Sequence, residues 1–359
     1  LVFLREVRQD IQDTALIEGQ IRDFQPDLLY LGHIMPLTRV LMPYLARQAL
    51  PLVADEGAKG LISIWEDRGL WQRFQTEFPQ KTGFLHWVKQ AFNWLVLYLS
   101  HGRIQQEWAF PANIQAFFNS NLNLNNALSE GVPLARTQVI HSGIDITQFS
   151  LKREKKFGNP LTILVPGRIE ENKGQLDAVR VGAALKAMGI PFELTLVGER
   201  WNQKYAEKVD AEILALGLKS QVRTLPMLSR GELVRLYHQA DITFFPSKHR
   251  SGFSRIPLEA MACGSLLITY GNEGSDEIVR DGENGLILAP EDSQAAAEEF
   301  ARLLNQSDRV GQIIRMARQT VEDSYSMGGY LSRIEEFLLQ ALQFCPEPPA
   351  PAPKTLPDN

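Results

Sequence analysis

The sequence is poor in cysteine and has no large excess of charge of either sign. Cys263 and Cys345 are the only two cysteines among 359 residues, which excludes a disulfide-stabilised scaffold and favours a reducing, cytoplasmic compartment. Lys and Arg together number 37 and Asp and Glu number 42, so the net charge is −5. This balance argues against nucleic acid as a partner bound through bulk charge.

Long apolar runs are also lacking. The most apolar stretch covers residues 84–99 and is interrupted by His86, Lys89 and Asn93. It is shorter than the roughly 20 apolar residues that a membrane span needs. We therefore predict a buried or interfacial helix here, and peripheral contact with a membrane surface stays open.

Two common nucleotide-binding signatures are missing as well. No G-x-G-x-x-G follows an apolar run, and no G-x-x-x-x-G-K-[ST] occurs in the sequence. The first absence disfavours a nicotinamide or flavin enzyme, and the second disfavours a P-loop phosphotransferase.

The second part of the chain alternates between short apolar runs and helical patterns. The runs are often β-branched, which predicts strands buried on both faces, at residues 161–165, 192–197, 222–225, 242–245, 266–269 and 285–288. Helical patterns between them cover 175–188 and 293–304. The alternation predicts an α/β fold with a parallel sheet covered by helices on both sides.

The first part repeats this theme less regularly. We predict strands at 27–31, 50–54, 114–118 and 138–140, helices at 37–48 and 120–128, and a mostly helical region at 60–105. A polar segment at 150–160 predicts a linker between two domains, 1–150 and 151 onwards. Residues 346–359 are rich in Pro and Ala and predict a disordered tail.

Two cations follow the first strand of the second part. Gly167 and Arg168, then Lys173 and Gly174, come directly after residues 161–165. Ligands of open α/β sheets bind at the carboxyl ends of strands, and Arg and Lys both suit phosphate. The spacing fits a phosphate site and a turn with two solvated cations equally well.

A lone carboxylate lies in the apolar helical pattern that follows the strand at 242–245. Pro257 is tolerated only in a first helical turn, so we predict a helix that begins near Ser254. Glu259 then needs a partner, either a ribose diol or a nearby cation. A glycine-bracketed turn at 271–277 could present backbone N–H groups to an anion or a sugar, but such turns are common.

Together these segments resemble the retaining glycosyltransferases of family 4, whose GT-B fold has two Rossmann-like domains facing a cleft. The family patterns V-I-x-N-G-V-D…F, G-R…K-G, L-V-G, P-S…E-G-F-G…E-A-M-A-C-G and E-I-V-x-D-G-x-N-G resemble residues 139–149, 167–174, 196–198, 246–264 and 277–285, with Ser142 where the family usually has Asn. Each match follows its own predicted strand, and the match is strongest over residues 139–290.

The resemblance implies a role for each matching residue. Arg168 and Lys173 would hold the donor diphosphate and stabilise the leaving group, without a metal ion or other cofactor. Glu259 would bind the donor ribose. The other implied donor-side positions are Gly167, Ser251, Gly252, Phe253 and, against the base, Met227.

Three departures from the family pattern concern position 251, the acceptor side and the start of the chain. Ser251 stands where the family usually has Glu, and the loop that contains Glu56 lacks the family's His. His33 and Glu56 are the acceptor-side candidates, with a structural role as the alternative for His33. The family opens with a strand and a glycine-rich loop, so the resemblance implies that the first part of the N-terminal domain is missing.

The resemblance also implies a domain plan and an activity. A nucleotide-sugar domain would cover 151–328, and a helix at 329–345 would cross back to the first domain. The expected activity transfers a sugar from a nucleotide diphosphate sugar to a saccharide, lipid-carrier or small-molecule acceptor, with retention. An inactive nucleotide-sugar-binding protein and a GT-B-type epimerase, which releases free sugar, are the alternatives.

Overall fold

The computed structural model describes residues 2–32, 39–67, 69–78, 83–151, 157–250 and 252–343. They form two compact units. The first contains the described residues of Leu1–Asn119, Asn123–Ile140 and Ile334–Asn359, and the second contains Ser120–Leu122 and His141–Arg333.

The change of unit at 140–141 comes earlier than the predicted linker at 150–160. Backbone pairing explains the difference, because the N–H of Ile144 donates to the carbonyl of Tyr325 at 2.8 Å. The buried ring of Phe149 also packs against Tyr237, with the ring centres 6.4 Å apart. The segment before the predicted linker is therefore part of the second unit.

The first unit contains a parallel four-stranded sheet with the order β1-β2-β3-β4. Its strands are β1 (Leu29–Gly32), β2 (Leu52–Glu56), β3 (Ile114–Phe118) and β4 (Arg136–Val139). Every residue of β3 is buried, as expected for an interior strand of a covered sheet. The predicted strands are confirmed, with their ends shifted by one or two residues in β1, β2 and β4.

Helices up to residue 129 are α1 (Val2–Phe24), α2 (Leu41–Leu45), α3 (Gly60–Glu66), α4 (Gly69–Glu77), α5 (Phe84–Leu99) and α6 (Asn121–Ser129). A small core joins α1, α4 and α5, where the ring of Phe3 packs against Trp71, Phe74 and Phe92. Among the residues described, no helix combines the length and the apolar character that crossing a membrane requires.

The second unit contains a parallel six-stranded sheet with the order β10-β9-β8-β5-β6-β7. Its strands are β5 (Leu161–Pro166), β6 (Phe192–Val197), β7 (Val222–Leu225), β8 (Ile242–Phe245), β9 (Leu266–Thr269) and β10 (Leu286–Ile287). The chain builds β5, β6 and β7 in one direction and then returns to place β8 on the other side of β5. The point of reversal lies between β5 and β8, and open α/β sheets bind ligands at such a point.

Helices cover both faces of this sheet. They are α7 (Gln175–Ala187), α8 (Gln203–Ala215), α9 (Arg230–Gln239), α10 (Ile256–Cys263), α11 (Ser275–Ile278), α12 (Ser293–Leu303) and α13 (Ser307–Ser324). Consecutive residues of β8 point into different cores, since Phe244 belongs to one buried cluster and Phe245 to the other. The predicted doubly covered parallel sheet is confirmed.

The last described helix is α14 (Met327–Leu342). Its residues from Ile334 onwards belong to the first unit, where the ring of Phe337 packs edge-on against Phe117 at 5.6 Å. The predicted tail at 346–359 lies outside the described residues.

Candidate functional site

Three loops meet at the carboxyl end of the second sheet, beside the reversal point. They follow β5, β8 and β9, and backbone groups tie them together. The N–H of Lys248 donates to the carbonyl of Asn172 at 2.8 Å, and the N–H of Ser254 donates to the carbonyl of Glu273 at 2.9 Å. The Asn272 amide also donates to the carbonyl of Ser247 at 2.8 Å. The predicted segments at 167–174, 246–255 and 271–277 therefore share one edge of the sheet.

A glycine allows the closest approach between two of these loops. Gly174 has φ +69°, and a Cβ at this position would lie 2.2 Å from the carbonyl oxygen of Pro246. No other residue fits there without moving the backbone. Gly174 thus holds the 3₁₀ turn Glu171–Lys173 against the loop after β8 and starts helix α7.

Lys173 is the buried cation of the site. Its side chain is 12% exposed and forms an ion pair with Glu273, whose side chain is 8% exposed. Gly167 lies beside it, since a Cβ at 167 would be 3.9 Å from Cδ of Lys173. The structure therefore brings together two predicted residues, Gly167 and Lys173, and adds Glu273, which sequence reasoning did not place in the site.

Arg168 has different surroundings. Its side chain is 49% exposed, pairs with Glu170 at 2.9 Å and lies over the ring of Trp201 at 4.8 Å from the ring centre. An arginine stacked on an aromatic ring keeps most of its N–H donors available. Trp201 is a second site residue that the sequence analysis missed.

A cavity of about 430 Å³ opens at the carboxyl ends of β6 and β7. It is lined by Gly198, Glu199, Arg200, Thr224, Leu225, Pro226 and Met227. A Cβ on Gly198 would lie 2.0 Å from the carbonyl oxygen of Gly167, so the cavity directly adjoins the loop after β5. Met227, predicted to lie near a base, is one of its lining residues.

Glu259 is buried in the first turn of α10. The Tyr237 hydroxyl donates to Oε2 at 2.8 Å, and the guanidinium of Arg255 lies 3.9 Å from Oε1. Burial raises the pKa of Glu259, while the contacts with Tyr237 and Arg255 act in the opposite direction. The helix begins at Ile256, two residues later than predicted, with Pro257 in its first turn as expected.

The loop before α10 contains the remaining predicted donor-side residues. Gly252 has φ +87°, and the ring of Phe253 contacts Gly274, where a Cβ would lie 2.6 Å from the ring. The imidazole of His141 lies against Phe253 at 5.1 Å between ring centres. Ser251 lies outside the described residues.

His141 also contacts Glu277, with Nε2 and Oε2 2.7 Å apart. Burial raises the pKa of the Glu277 carboxyl, but hydrogen bonds from His141 and from the amides of Asn121 and Leu122, in the same unit, lower it more. The net result is a lowered pKa, so the carboxylate is stabilised in its charged form.

Glu56 has a structural environment. Its carboxylate accepts hydrogen bonds from the amides of Ala58, Gly60 and Leu61, at 3.1, 3.0 and 2.6 Å, beside the first turn of α3. Burial raises the pKa of Glu56. Both oxygens accept hydrogen bonds from the backbone, which fits a structural role for Glu56. His33 lies outside the described residues.

Comparison with known proteins finds similarity to glycosyltransferases in both sequence and structure. Residues 147–320 match the model of the family described as Glycosyl transferases group 1. Over 205 residues the chain is 29% identical to the glycogen synthase of Mycobacterium tuberculosis, an alignment that covers 56% of this chain and 49% of that protein. The chain spans about half the length of the curated relatives it matches.

Solved structures resemble a much larger part of the chain. A glycosyltransferase from Rickettsia africae gives a TM-score of 0.69 at 19% identity, covering 93% of this chain and 81% of that one. The Anabaena protein HepE in complex with UDP gives 0.68 at 19% identity, covering 91% and 82%. The chain therefore has the GT-B fold, and its residues 147–320 match the Glycosyl transferases group 1 family.

Proposed function

We propose that this chain is a glycosyltransferase that moves a sugar from a nucleotide diphosphate sugar to an acceptor, in the cytoplasm. The observation that carries the proposal is the meeting of three loops at the reversal point of the second sheet. It places buried Lys173 and the amino end of α7 beside Gly167, which adjoins the 430 Å³ cavity. A cation and a helix amino end suit phosphates, and a cavity of this size suits a nucleoside.

The predicted donor-side residues each have a part in this reaction. Negative charge develops on the diphosphate as the sugar leaves, and Lys173 and Arg168 stabilise that charge. Glu259 accepts hydrogen bonds from ribose hydroxyls, because an ionised carboxylate is purely an acceptor. Gly252 and Phe253 line the sugar side, and Met227 contacts the base. Retention at the anomeric carbon and independence from metal ions belong to the same proposal.

A direct assay tests the proposal. The protein is incubated with UDP-, GDP- and ADP-sugars, with saccharide or lipid-linked acceptors, in the presence and absence of EDTA. We expect one donor class to be consumed with a glycoside as product, retained configuration by NMR, and no effect of EDTA. Release of free sugar would instead favour an epimerase, and binding without turnover an inactive binding protein. No binding of any nucleotide sugar would refute the proposal.

Helix α5 favours a lipid-linked acceptor. Its exposed side chains are large and mostly apolar, and include Phe84, Leu85, Trp87, Trp94, Leu95 and Tyr98. The helix contains no Asp or Glu, and exposed Arg47 and His101 lie at its carboxyl end, where Arg47 donates to the carbonyl of Gly102. Trp and Tyr are typical of membrane interfaces, and the two basic residues complement anionic headgroups. We propose that this face contacts an anionic membrane surface.

Vesicle sedimentation tests this contact. We expect the protein to sediment with phosphatidylglycerol vesicles and the Trp87→Ser/Trp94→Ser variant to stay in the supernatant. Leu214→Ser, at an exposed leucine on α8, is the matched control and should sediment like the parent protein. Equal sedimentation of both variants, or a dimer held by α5 without vesicle binding, would contradict the proposal.

A further inference from the structure

Glu273 has a backbone conformation that is uncommon for its residue type. It lies in the turn between β9 and α11 with φ +54°, between Gly271 at +69° and Gly274 at +77°. Left-handed backbone is free of strain for glycine but unfavourable for a residue with a Cβ. Such outliers concentrate at functional sites, where the surrounding structure holds them in place. Here the hydrogen bond from Ser254 to the Glu273 carbonyl provides that constraint.

The Glu273 carboxylate is buried, and among the described residues only one of its two oxygens has a hydrogen-bond partner. The residue is 7% exposed, and Oε1 accepts a hydrogen bond from Nζ of Lys173. Oε2 is also buried, and within the described part of the chain it has no hydrogen-bond partner. Leaving a charged oxygen unpaired in the interior is unfavourable, so an additional donor at this position would be bound favourably.

Lys173 places this carboxylate next to the donor's phosphates. An ammonium group has three N–H donors, and one of them serves Glu273. The other donors can face a diphosphate, as the proposed function requires. A carboxylate repels phosphate, so the second oxygen of Glu273 does not serve the diphosphate itself, and a neutral donor attached close to the phosphate suits it. A hydroxyl of the sugar attached to that phosphate meets both conditions. The terminal torsion of glutamate is soft, so Oε2 can turn towards a ligand without a backbone change.

We propose that Glu273 determines donor-sugar specificity: it holds Lys173 with one carboxylate oxygen and accepts a hydrogen bond from a hydroxyl of the transferred sugar with the other. This inference rests on the proposed function, because it requires a nucleotide diphosphate sugar at Lys173.

The test compares two ligands by calorimetry, the sugar nucleotide that the parent protein binds best and the corresponding nucleoside diphosphate without sugar. In Glu273→Gln the amide oxygen still serves Lys173, but the charged acceptor for the sugar is lost. We expect the sugar nucleotide to bind about tenfold more weakly and the bare diphosphate to bind within about twofold of the parent. A donor that lacks the recognised hydroxyl should show no such difference between variant and parent.

Glu283→Gln is the matched control, since it makes the same change at an exposed ion pair with Arg280 in the same unit. If Glu273→Gln does not fold, Glu273→Asp replaces it, because Asp tolerates left-handed backbone better. Equal losses for both ligands would show that Glu273 acts only through Lys173 and would overturn the inference, as would no loss for either. A parent protein that binds no nucleotide sugar would overturn the proposed function itself.

Discussion

The ion pair between Lys173 and Glu273 makes it possible to measure separately how Lys173 affects the stability of the fold and the binding of a nucleotide sugar. The two side chains are only 12% and 8% exposed, so the pair is largely removed from solvent and behaves more like a buried pair than a surface one. Removing one partner of such a pair costs about 3–5 kcal/mol, because the other charge stays uncompensated. We therefore expect Lys173→Ala to lower the melting temperature of the second unit by roughly 6–20 °C, at about 2–4 °C per kcal/mol.

The double variant Lys173→Ala/Glu273→Ala separates the two roles of the lysine. The double variant removes both charges together, so it should regain most of the stability that Lys173→Ala loses. The double-mutant cycle should therefore give a coupling free energy above about 1 kcal/mol. Under the proposed function, nucleotide sugar binding should not return, because both variants lack the lysine proposed to contact the phosphate. That contact is worth on the order of ten- to a hundred-fold in affinity.

Thermal unfolding and calorimetry on the same protein samples provide the measurement. Lys186→Ala is the control, since this exposed lysine donates to the Gly217 carbonyl and its loss should change stability by less than about 0.5 kcal/mol. A double variant as unstable as the single one would show that the two charges are not coupled. Recovery of binding in the double variant would show that Lys173 does not contact the donor.

Three further predictions concern the same site. Because the folded-state pKa of Glu277 is lowered, its ionised form stabilises the fold above the ordinary value of 4.5, and this contribution is lost as the pH falls below that value. Urea unfolding should therefore show Glu277→Gln less stable than the parent at neutral pH, with the gap closing in acid. Glu259 has a raised pKa, so its ionisation costs stability as the pH rises past 4.5. Glu259→Gln should be more stable than the parent at neutral pH, yet bind ribonucleotides more weakly with no loss for their 2′,3′-dideoxy forms. Gly174→Ala should cost more stability than Gly189→Ala, since both have positive φ but only Gly174 faces a backbone oxygen, that of Pro246. Equal costs for the two glycine variants would mean that the loops can separate freely.

The strands of the second sheet could be predicted because each is a short segment in which apolar residues predominate or stand at both ends, between turn and helix signals. The bounds of β6, β7, β8 and β9 agree with the sequence analysis to the residue. Helix α1 was not predicted, although it has an apolar stripe at helical spacing that includes Phe3, Val7, Ile11 and Ile21. Only Val7 and Thr14 of its 23 residues are buried, and its place depends on contacts of Phe3 with aromatic residues far along the chain.

The partners of the predicted site residues could not be predicted in the same way. Lys173 and Glu273 are 100 positions apart and meet only because β5, β8 and β9 are neighbours in the sheet. The order of strands is a tertiary property that apolar runs do not specify. Glu56 was a candidate because its loop stands where the family has its His, and the sequence does not show that three backbone amides donate to its carboxylate.

The two predicted cations differ in a way that bears on their roles. Lys173 is largely shielded from solvent and fixed by Glu273, so under the proposed function it would provide a positive charge whose position changes little when the donor binds. Arg168 is half exposed and held by Glu170 and the ring of Trp201, so it can leave these partners at little cost, since exposed ion pairs contribute only about 0–1 kcal/mol. A fixed charge suits the recognition of a diphosphate in the ground state. A mobile forked donor suits the charge that develops as the sugar leaves, because only contacts that strengthen in the transition state increase the rate. We infer that Lys173 contributes mainly to donor affinity and Arg168 mainly to the rate of transfer.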